Sequence, residues 1–115
     1  EPGLLGHPKC GASWEGFAMT QVISRLRVDR RNCWFWRTQD GAEIDLLVVR
    51  GTQRLGFEFT RTEGPTVTRS MRSALETLHL DRLDVIYPGQ DSFPMDRNVR
   101  AVALRRLLQD VKPLR

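Results

Sequence analysis

Two acidic residues, Asp45 and Glu58, are predicted to lie opposite each other on neighbouring β-strands. Runs rich in branched and aromatic residues flank Gly51-Thr52, a pattern typical of a β-hairpin. If these two residues form the loop, antiparallel pairing places Arg50 opposite Gln53 and, further along, Asp45 opposite Glu58. Like charges directly opposite on a strand pair destabilise it by up to about 1 kcal/mol. We therefore expect a cation between the two carboxylates.

The other residues of the hairpin divide between its two faces. Because strand side chains alternate, the register that brings Asp45 and Glu58 together also places Glu43 and Thr60 beside them. The opposite face is apolar and consists of Ile44, Leu46, Val48, Leu55, Phe57 and Phe59. We favour a cation site on the acidic face. The alternative is a solvated face whose acids pair with neighbouring arginines.

The acidic hairpin resembles the core of the PD-(D/E)XK nucleases. In that pattern a carboxylate on one strand is followed, after a short turn, by E-x-K on the next strand; Asp45 and the run Glu58-Phe59-Thr60 stand in the matching places. The longer stretches GLLGHPKCGASWEGF, FWRTQDGAEIDLLV and LGFEFTRT resemble the domain of unknown function at the C-terminus of predicted ATPases of the AAA superfamily. This resemblance covers nearly the whole chain. The chain departs from the nuclease pattern at Thr60, where the motif has lysine.

The resemblance implies a divalent-metal site and phosphodiester hydrolysis. Asp45 and Glu58 would hold Mg²⁺ or Mn²⁺, Glu15 on the first helix would be a third ligand, and Glu43 is the reserve. A carboxylate in the first turn of a helix is also favoured by the helix dipole, which is the structural alternative for Glu15. Because a neutral threonine replaces the motif lysine at Thr60, we expect weak cleavage or none.

ATP is expected to bind only outside this chain. The 115 residues suffice for one domain, and they contain no G-x-x-x-x-G-K-[ST] sequence. The resemblance implies that an N-terminal ATPase domain of the same protein is a partner. The alternative function is a non-enzymatic module that docks on that ATPase domain, on a second copy of itself or on a protein partner. The sequence favours no oligomeric state.

The charge of the chain suits a polyanionic partner such as nucleic acid. The formal net charge is +4, the pI is about 9.8, and sixteen of the eighteen basic residues are arginines. Guanidinium groups match phosphate geometry, and basic patches release condensed counterions from nucleic acid. Genomic codon usage also produces such an excess of arginine.

Three side chains are candidates for contact with nucleic acid. Arg69 and Arg72 are neighbours on the predicted second helix and could reach phosphates if that end of the helix lies by the acidic face. If Asp40-Gly41 is a two-residue turn, Trp36 falls opposite Asp45, where it could stack on a base. The alternatives are solvated surface for the arginines and packing under a helix for Trp36.

The elements that must position these residues predict an α/β fold, a restriction-endonuclease-like mixed sheet with helices on its faces. We expect a lead-in or linker over residues 1–12, followed by a helix capped by Ser13 from Trp14 to Leu26, with Trp14 and Phe17 on its apolar side. A strand over 32–38 precedes the hairpin, and a helix from a Thr66 or Thr68 cap to about Leu78 follows it. The remaining elements are a strand over 82–87, a loop over 91–98, a short edge strand over 99–103 and a helical turn or two over 104–110. The domain is expected to occupy residues 13–115.

No stretch indicates export or membrane insertion. There is no apolar run of membrane-spanning length and no signal-peptide pattern, so a cytoplasmic location with no membrane partner is expected. Cys10 and Cys33 lack C-x-x-C spacing and are interpreted as reduced thiols.

Overall fold

A seven-stranded mixed sheet forms the centre of the fold. The computed structural model describes residues 3–8 and 10–114. The strands are β1 (Leu4–Gly6), β2 (Cys33–Arg37), β3 (Glu43–Arg50), β4 (Gln53–Phe59), β5 (Arg82–Tyr87), β6 (Phe93–Asp96) and β7 (Val99–Ala103), in the sheet order β1-β2-β3-β4-β5-β7-β6. The β4–β5 and β5–β7 pairs are parallel, and the other pairs are antiparallel. The expected α/β class is confirmed.

Helices cover both faces of this sheet. The α-helices are α1 (Trp14–Leu26), α2 (Arg69–Thr77) and α3 (Leu107–Asp110), with 3-10 helices at Arg30–Asn32 and Leu104–Arg106. On one face, α1 and α3 pack on a cluster that includes Leu46, Phe57 and Ile86. On the other face, α2 packs on a cluster that includes Leu47 and Val85. Within the described ranges, no helix is both long and apolar enough to cross a bilayer.

Both longer helices begin where capping chemistry predicts. The Ser13 hydroxyl accepts a hydrogen bond from the Gly16 N–H at 3.2 Å, and the Thr68 hydroxyl accepts one from the Met71 N–H at 3.1 Å. Each bond satisfies a backbone donor that the first turn of a helix leaves without a partner. The choice left open between Thr66 and Thr68 is thereby resolved in favour of Thr68.

The hairpin register is confirmed along β3 and β4. Arg50 pairs with Gln53, and the pairing continues regularly to Leu46 and Phe57. The loop consists of Gly51 and Thr52, and Gly51 adopts a φ of +62°, which glycine tolerates without steric cost. The sequence therefore predicted correctly how the strands that carry Asp45 and Glu58 align.

The turn before β3 differs from the prediction, and so does the position of Trp36. The Thr38 N–H donates to the Ala42 carbonyl at 2.8 Å, so three residues rather than two form the loop. Trp36 pairs with Ile44, not with Asp45, because the register between β2 and β3 shifts by one residue at a β-bulge. Ile44 consequently packs in the cluster under α2, opposite to the expected face.

Two predictions about the sheet edges were wrong. Leu4–Gly6, expected to be irregular, pairs with β2 as an edge strand; residues 1, 2 and 9 of the expected lead-in lie outside the described residues. Phe93–Asp96, expected to be loop, forms the other edge, so that β7 is internal. β6 contains Pro94, which lacks an N–H and is tolerated mainly in edge strands. Three- and four-residue strands are too short to show an alternation in sequence.

The exposed face of α1 was also predicted in part incorrectly. Phe17, expected in the core, is 55% exposed, while Met19 and Ile23 are buried. The buried stripe of α1 therefore extends from Ala18, Val22 and Leu26 toward Met19 and Ile23 rather than toward Phe17.

Candidate functional site

A cavity of about 520 Å³ lies where β3, β4 and α2 meet. Three carboxylates, from Glu43, Asp45 and Glu58, contribute to its wall. Facing them is a set of hydroxyl side chains: Thr60, Thr62, Thr66, Thr68 and Ser70. The expected gathering of Glu43, Asp45, Glu58 and Thr60 at one place is what the structure shows.

The start of α2 is tied directly to the acidic strand. The Ser70 hydroxyl accepts a hydrogen bond from the Glu43 N–H at 2.9 Å and donates one to the Glu43 carbonyl at 3.3 Å. Thr68, the helix cap, lines the cavity as well. The first turn of α2 is thus held as one wall of the cavity.

Asp45 reaches across from β3 to β4. Its Oδ2 accepts a hydrogen bond from the backbone N–H of Phe59 at 2.9 Å, which places the carboxylate beside Glu58. Burial raises the pKa of Asp45, and the negative charges of Glu43 and Glu15 add to the rise. The Phe59 N–H opposes it, because that bond stabilises the charged form.

Glu58 is the most strongly perturbed acid of the cavity. Burial raises the pKa of Glu58 from its ordinary value of 4.5 to about 9, and the charges of Asp45 and Glu43 contribute. The Asp45 N–H opposes the rise. Oε2 of Glu58 is buried without a hydrogen-bond partner, the one such side-chain atom in the described ranges. A buried polar group without a partner typically costs about 1–3 kcal/mol, so this oxygen is a vacant acceptor.

No basic side chain of the described chain neutralises this cluster. The cavity wall contains no Lys, Arg or His among residues 3–8 and 10–114. The five ion pairs within these ranges involve other acids: Asp29, Asp84, Asp96 and Asp110. The alternative in which neighbouring arginines pair with the acids is therefore not the arrangement found. Arg54, the arginine on the same strand, donates to the Leu78 carbonyl at 2.6 Å instead.

Thr60 lies at the expected place but supplies only a hydroxyl. It lines the cavity next to Glu58, and its Oγ1 accepts a hydrogen bond from the Thr62 N–H at 3.1 Å. The nuclease pattern has a charged lysine at this position, whereas Thr60 lines the cavity beside the acids without a charge.

Glu15 does not join the acids of the cavity wall. It lies half-buried in the first turn of α1, and its charge acts on Asp45 without Glu15 lining the cavity. Among the residues described, no three His, Cys, Asp or Glu side chains are grouped so that they could hold a metal ion. The structure therefore does not assemble the expected triad of Asp45, Glu58 and Glu15, because α1 packs on the opposite face of the sheet.

Trp36 cannot serve as a stacking platform in this conformation. Its side chain is 1% exposed and belongs to the cluster under α2. Trp36 lies on the side of the sheet that α2 covers, as Trp34 does, and the packing alternative is the one that the structure favours.

The two candidate arginines of α2 differ in their surroundings. Arg72 forms an ion pair with Asp96 of β6. Arg69 instead lines a second cavity of about 200 Å³ together with Asp40, Gly41 and Ser70. The condition on which both were proposed, that the start of α2 lies beside the acids, is met.

Most of the hydroxyl residues that line the cavity were not predicted as site residues from the sequence. Thr66 and Thr68 were considered only as helix caps, and Thr62 and Ser70 were not considered. The available signal was the density of hydroxyl residues on either side of Gly64-Pro65, immediately after the acidic strand.

Comparison with known proteins agrees with the extent of the resemblance. The family model of DUF4143, a domain of unknown function, matches residues 10–107. Two curated proteins described as uncharacterized, one from Mycobacterium bovis and one from Mycobacterium tuberculosis, are each 45% identical over 105 residues, 91% of this chain. The chain spans 23% of the length of these relatives. No solved structure gives a significant match. Because the family model covers most of the chain, this protein belongs to the DUF4143 family.

Proposed function

We propose that this domain binds a divalent cation between Asp45 and Glu58 and uses it to engage nucleic acid, with weak phosphodiester cleavage or none. The observation that carries the proposal is Oε2 of Glu58, a buried acceptor without a partner beside a second carboxylate. Natural folds rarely leave such an atom unsatisfied, and a water molecule, an ion or a ligand usually completes it.

The donor set suits a hard cation. Asp45 and Glu58 offer only oxygen. Glu43 lines the same cavity wall, but among the described residues it does not complete a three-residue metal cluster with them. Mg²⁺ and Mn²⁺ accept carboxylate oxygens and complete their coordination with water or phosphate oxygens, so two protein carboxylates are sufficient. When bound, such an ion would lower the pKa of an attacking water and offset charge on a phosphate.

The protein's own residues explain why cleavage should be slow. Asp45 is held in place by the Phe59 N–H, and Glu58 loses its proton when a cation takes its place. Thr60 can donate one neutral hydrogen bond to a phosphate oxygen. Removing one preorganised stabilising group from an active site costs about 10²–10³ in rate where this has been measured. The absence of the motif lysine ammonium at Thr60 should therefore slow cleavage strongly.

The composition supports nucleic acid as the partner. The net charge of +4 and the excess of arginine suit a polyanion. An acidic cavity would repel phosphate by itself, so a bound cation is needed to reconcile the site with this partner.

The test is the thermal stability of the domain with Mg²⁺ or Mn²⁺ against the same buffer with EDTA. A ligand that binds only the folded state stabilises it by about 2.7 kcal/mol at one hundred times its dissociation constant. We expect a metal-dependent shift in wild type that Asp45→Ala abolishes. Asp91→Ala, on an exposed loop, is the matched control and should keep the shift.

The rival function is a docking module, and one observation favours it. Leu4 and Leu5 lie on the edge strand β1 and are 60% and 48% exposed. Exposed apolar side chains beside a free strand edge are typical of surfaces that pair with another chain. Absence of any metal shift, together with absence of DNA binding at every salt concentration, would favour this function over ours.

A further inference from the structure

Arg69 borders a smaller cavity beside the acidic cavity. This smaller cavity, of about 200 Å³, shares Gly41 and Ser70 with the acidic cavity, so the two adjoin each other. Arg69 is exposed and is the first residue of α2. A ligand that leaves the acidic cavity on this side passes the Arg69 side chain.

The position of Arg69 in its helix is electrostatically unfavourable. The N-terminus of a helix carries a partial positive charge, so a cation in the first turn is destabilising. The first turn of α2 has no acidic residue that would offset this. An anion bound at this place would favour both the helix terminus and the guanidinium group.

Arg69 has no ion pair among the described residues. Asp40 shares its cavity, but the two form no salt bridge within 4.0 Å, and the Asp40 carboxylate accepts a hydrogen bond from the Thr38 hydroxyl. Arg72, one turn further along the same helix, is paired with Asp96. Of the two arginines, Arg69 therefore has its donors available.

The surface between the two cavities allows close approach of a backbone. Gly41 has a φ of +100°, and the position where a Cβ would stand has no neighbouring atom within 4 Å. The Ser70 hydroxyl accepts a hydrogen bond from the Glu43 N–H, which fixes the start of α2 at this point. A chain of linked phosphates can therefore pass from the acids to Arg69 without meeting a side chain at residue 41.

We propose that Arg69 binds the phosphate next to the one at the acidic cavity, so that the ligand is a polynucleotide strand rather than a mononucleotide. This inference rests on the proposed function, since the first phosphate is the one engaged through Asp45 and Glu58. Arg69 acts as a positioning residue that sets where the strand lies.

The experiment is a fluorescence anisotropy titration of a labelled DNA duplex in Mg²⁺ over a series of salt concentrations. Each phosphate contact contributes about 0.9 to the slope of log affinity against log salt. We expect Arg69→Ala to lower the slope by about 0.9, so a fourfold rise in salt weakens wild-type binding about 3.5-fold more than it weakens the variant. Arg69→Lys should keep the slope, because the charge remains.

The matched control is Arg105→Ala, which removes an exposed arginine next to α3, on the other face of the sheet. It should leave the slope unchanged. If Arg69→Ala and Arg105→Ala give equal slopes while Asp45→Ala abolishes metal-dependent binding, the Arg69 inference is wrong and the proposed function stands. If wild type binds no DNA at any salt concentration, both fail. Both arginines are exposed, and a cooperative thermal unfolding transition in each variant verifies that it is folded.

Discussion

The molecule buries two carboxylates in opposite ways, at Asp84 and at Glu58. Asp84 on β5 is 0% exposed and receives Arg82 Nε at 3.1 Å and Arg100 Nε at 2.7 Å. Glu58 on β4, the neighbouring strand, has a buried oxygen without a partner and a pKa raised to about 9. The carboxylate of Asp84 is neutralised by arginine side chains of the protein, whereas the carboxyl group of Glu58 is not.

The surroundings of Asp84 explain its structural role. Arg100 stands directly opposite it on β7 and also donates from Nη2 to the Asp110 carbonyl of α3 at 2.8 Å. Hydrogen bonding to Asp84 raises the pKa of Arg100 further above its ordinary value. The pair thereby ties the sheet to α3. At Glu58 the charges that act on its pKa are all negative, which supports the proposed cation site.

The largest expected effect is at Asp84. Asp84→Ala would leave two arginines directed at a buried position without their anion. Breaking a fully buried pair typically costs about 3–5 kcal/mol, and because the side chains of Arg82 and Arg100 are 34% and 30% exposed, the low end of this range applies. We expect a loss of that order in the free energy of unfolding, measured by urea denaturation. Asp91→Ala, an exposed acid, should change it by less than about 0.5 kcal/mol. A small loss for Asp84→Ala would mean that the ion pairs of Asp84 contribute little to the stability of the fold.

Replacing Glu58 should raise the free energy of unfolding, whereas replacing Asp84 should lower it. Its pKa is higher in the folded than in the unfolded chain, so the folded state binds more protons between about pH 4.5 and pH 9 and stability falls as pH rises through that window. For one proton the slope is at most about 1.4 kcal/mol per pH unit. Glu58→Gln cannot ionise, so we expect it to be more stable than wild type above neutral pH in EDTA, with a smaller loss between pH 5 and pH 9.

The measurement is urea denaturation at several pH values without metal. Asp45→Asn is the useful companion variant: the pKa of Asp45 is also raised, and removing its charge should lower the pKa of Glu58. If Glu58→Gln destabilises the domain at every pH, then Glu58 stabilises the fold through contacts such as its hydrogen bond with the Asp45 N–H, and the contrast with Asp84 is wrong.

The smallest effect is expected at Thr60. Thr60→Lys would place an ammonium group beside Glu58 and supply the charge that this site lacks, so Mn²⁺-dependent cleavage of DNA should rise measurably above the low level expected for wild type. Thr62→Lys is the matched control, since Thr62 lines the same cavity beyond the end of β4. Cleavage is followed on a labelled oligonucleotide.

Two results would change the interpretation of Thr60. Strong cleavage by wild type, lost in Asp45→Ala, would mean that a hydroxyl is sufficient here. A folded and metal-binding Thr60→Lys protein without any gain would favour the docking module.

Much of the candidate site was predictable because it depends on short-range rules. The two-residue loop at Gly51-Thr52 sets the register of β3 against β4, and alternation then brings Asp45, Glu58 and Thr60 to one place. Helix capping by Thr68 follows from the same local chemistry. These features involve residues close in sequence, whose geometry neighbouring side chains alter little.

The parts that were mispredicted depend on contacts between distant segments. Glu15 is separated from the other acids by the packing of α1 on the opposite face, and Trp36 is buried in the cluster under α2. Thr66 and Ser70 line the cavity beside the acids only because α2 docks against β3. None of these placements can be obtained from spacing along the chain.

The sequence by itself determined the α/β class, the bounds of α1 and β5, and the alignment of the two acidic strands, because caps, turns and alternation act over a few residues. Only the tertiary structure decided that Asp84 is neutralised by Arg82 and Arg100 while Glu58 has no cation among its described neighbours. The physical reason is that the charge balance at a buried acid depends on which strands and helices surround it. That arrangement is set by packing across the whole sheet.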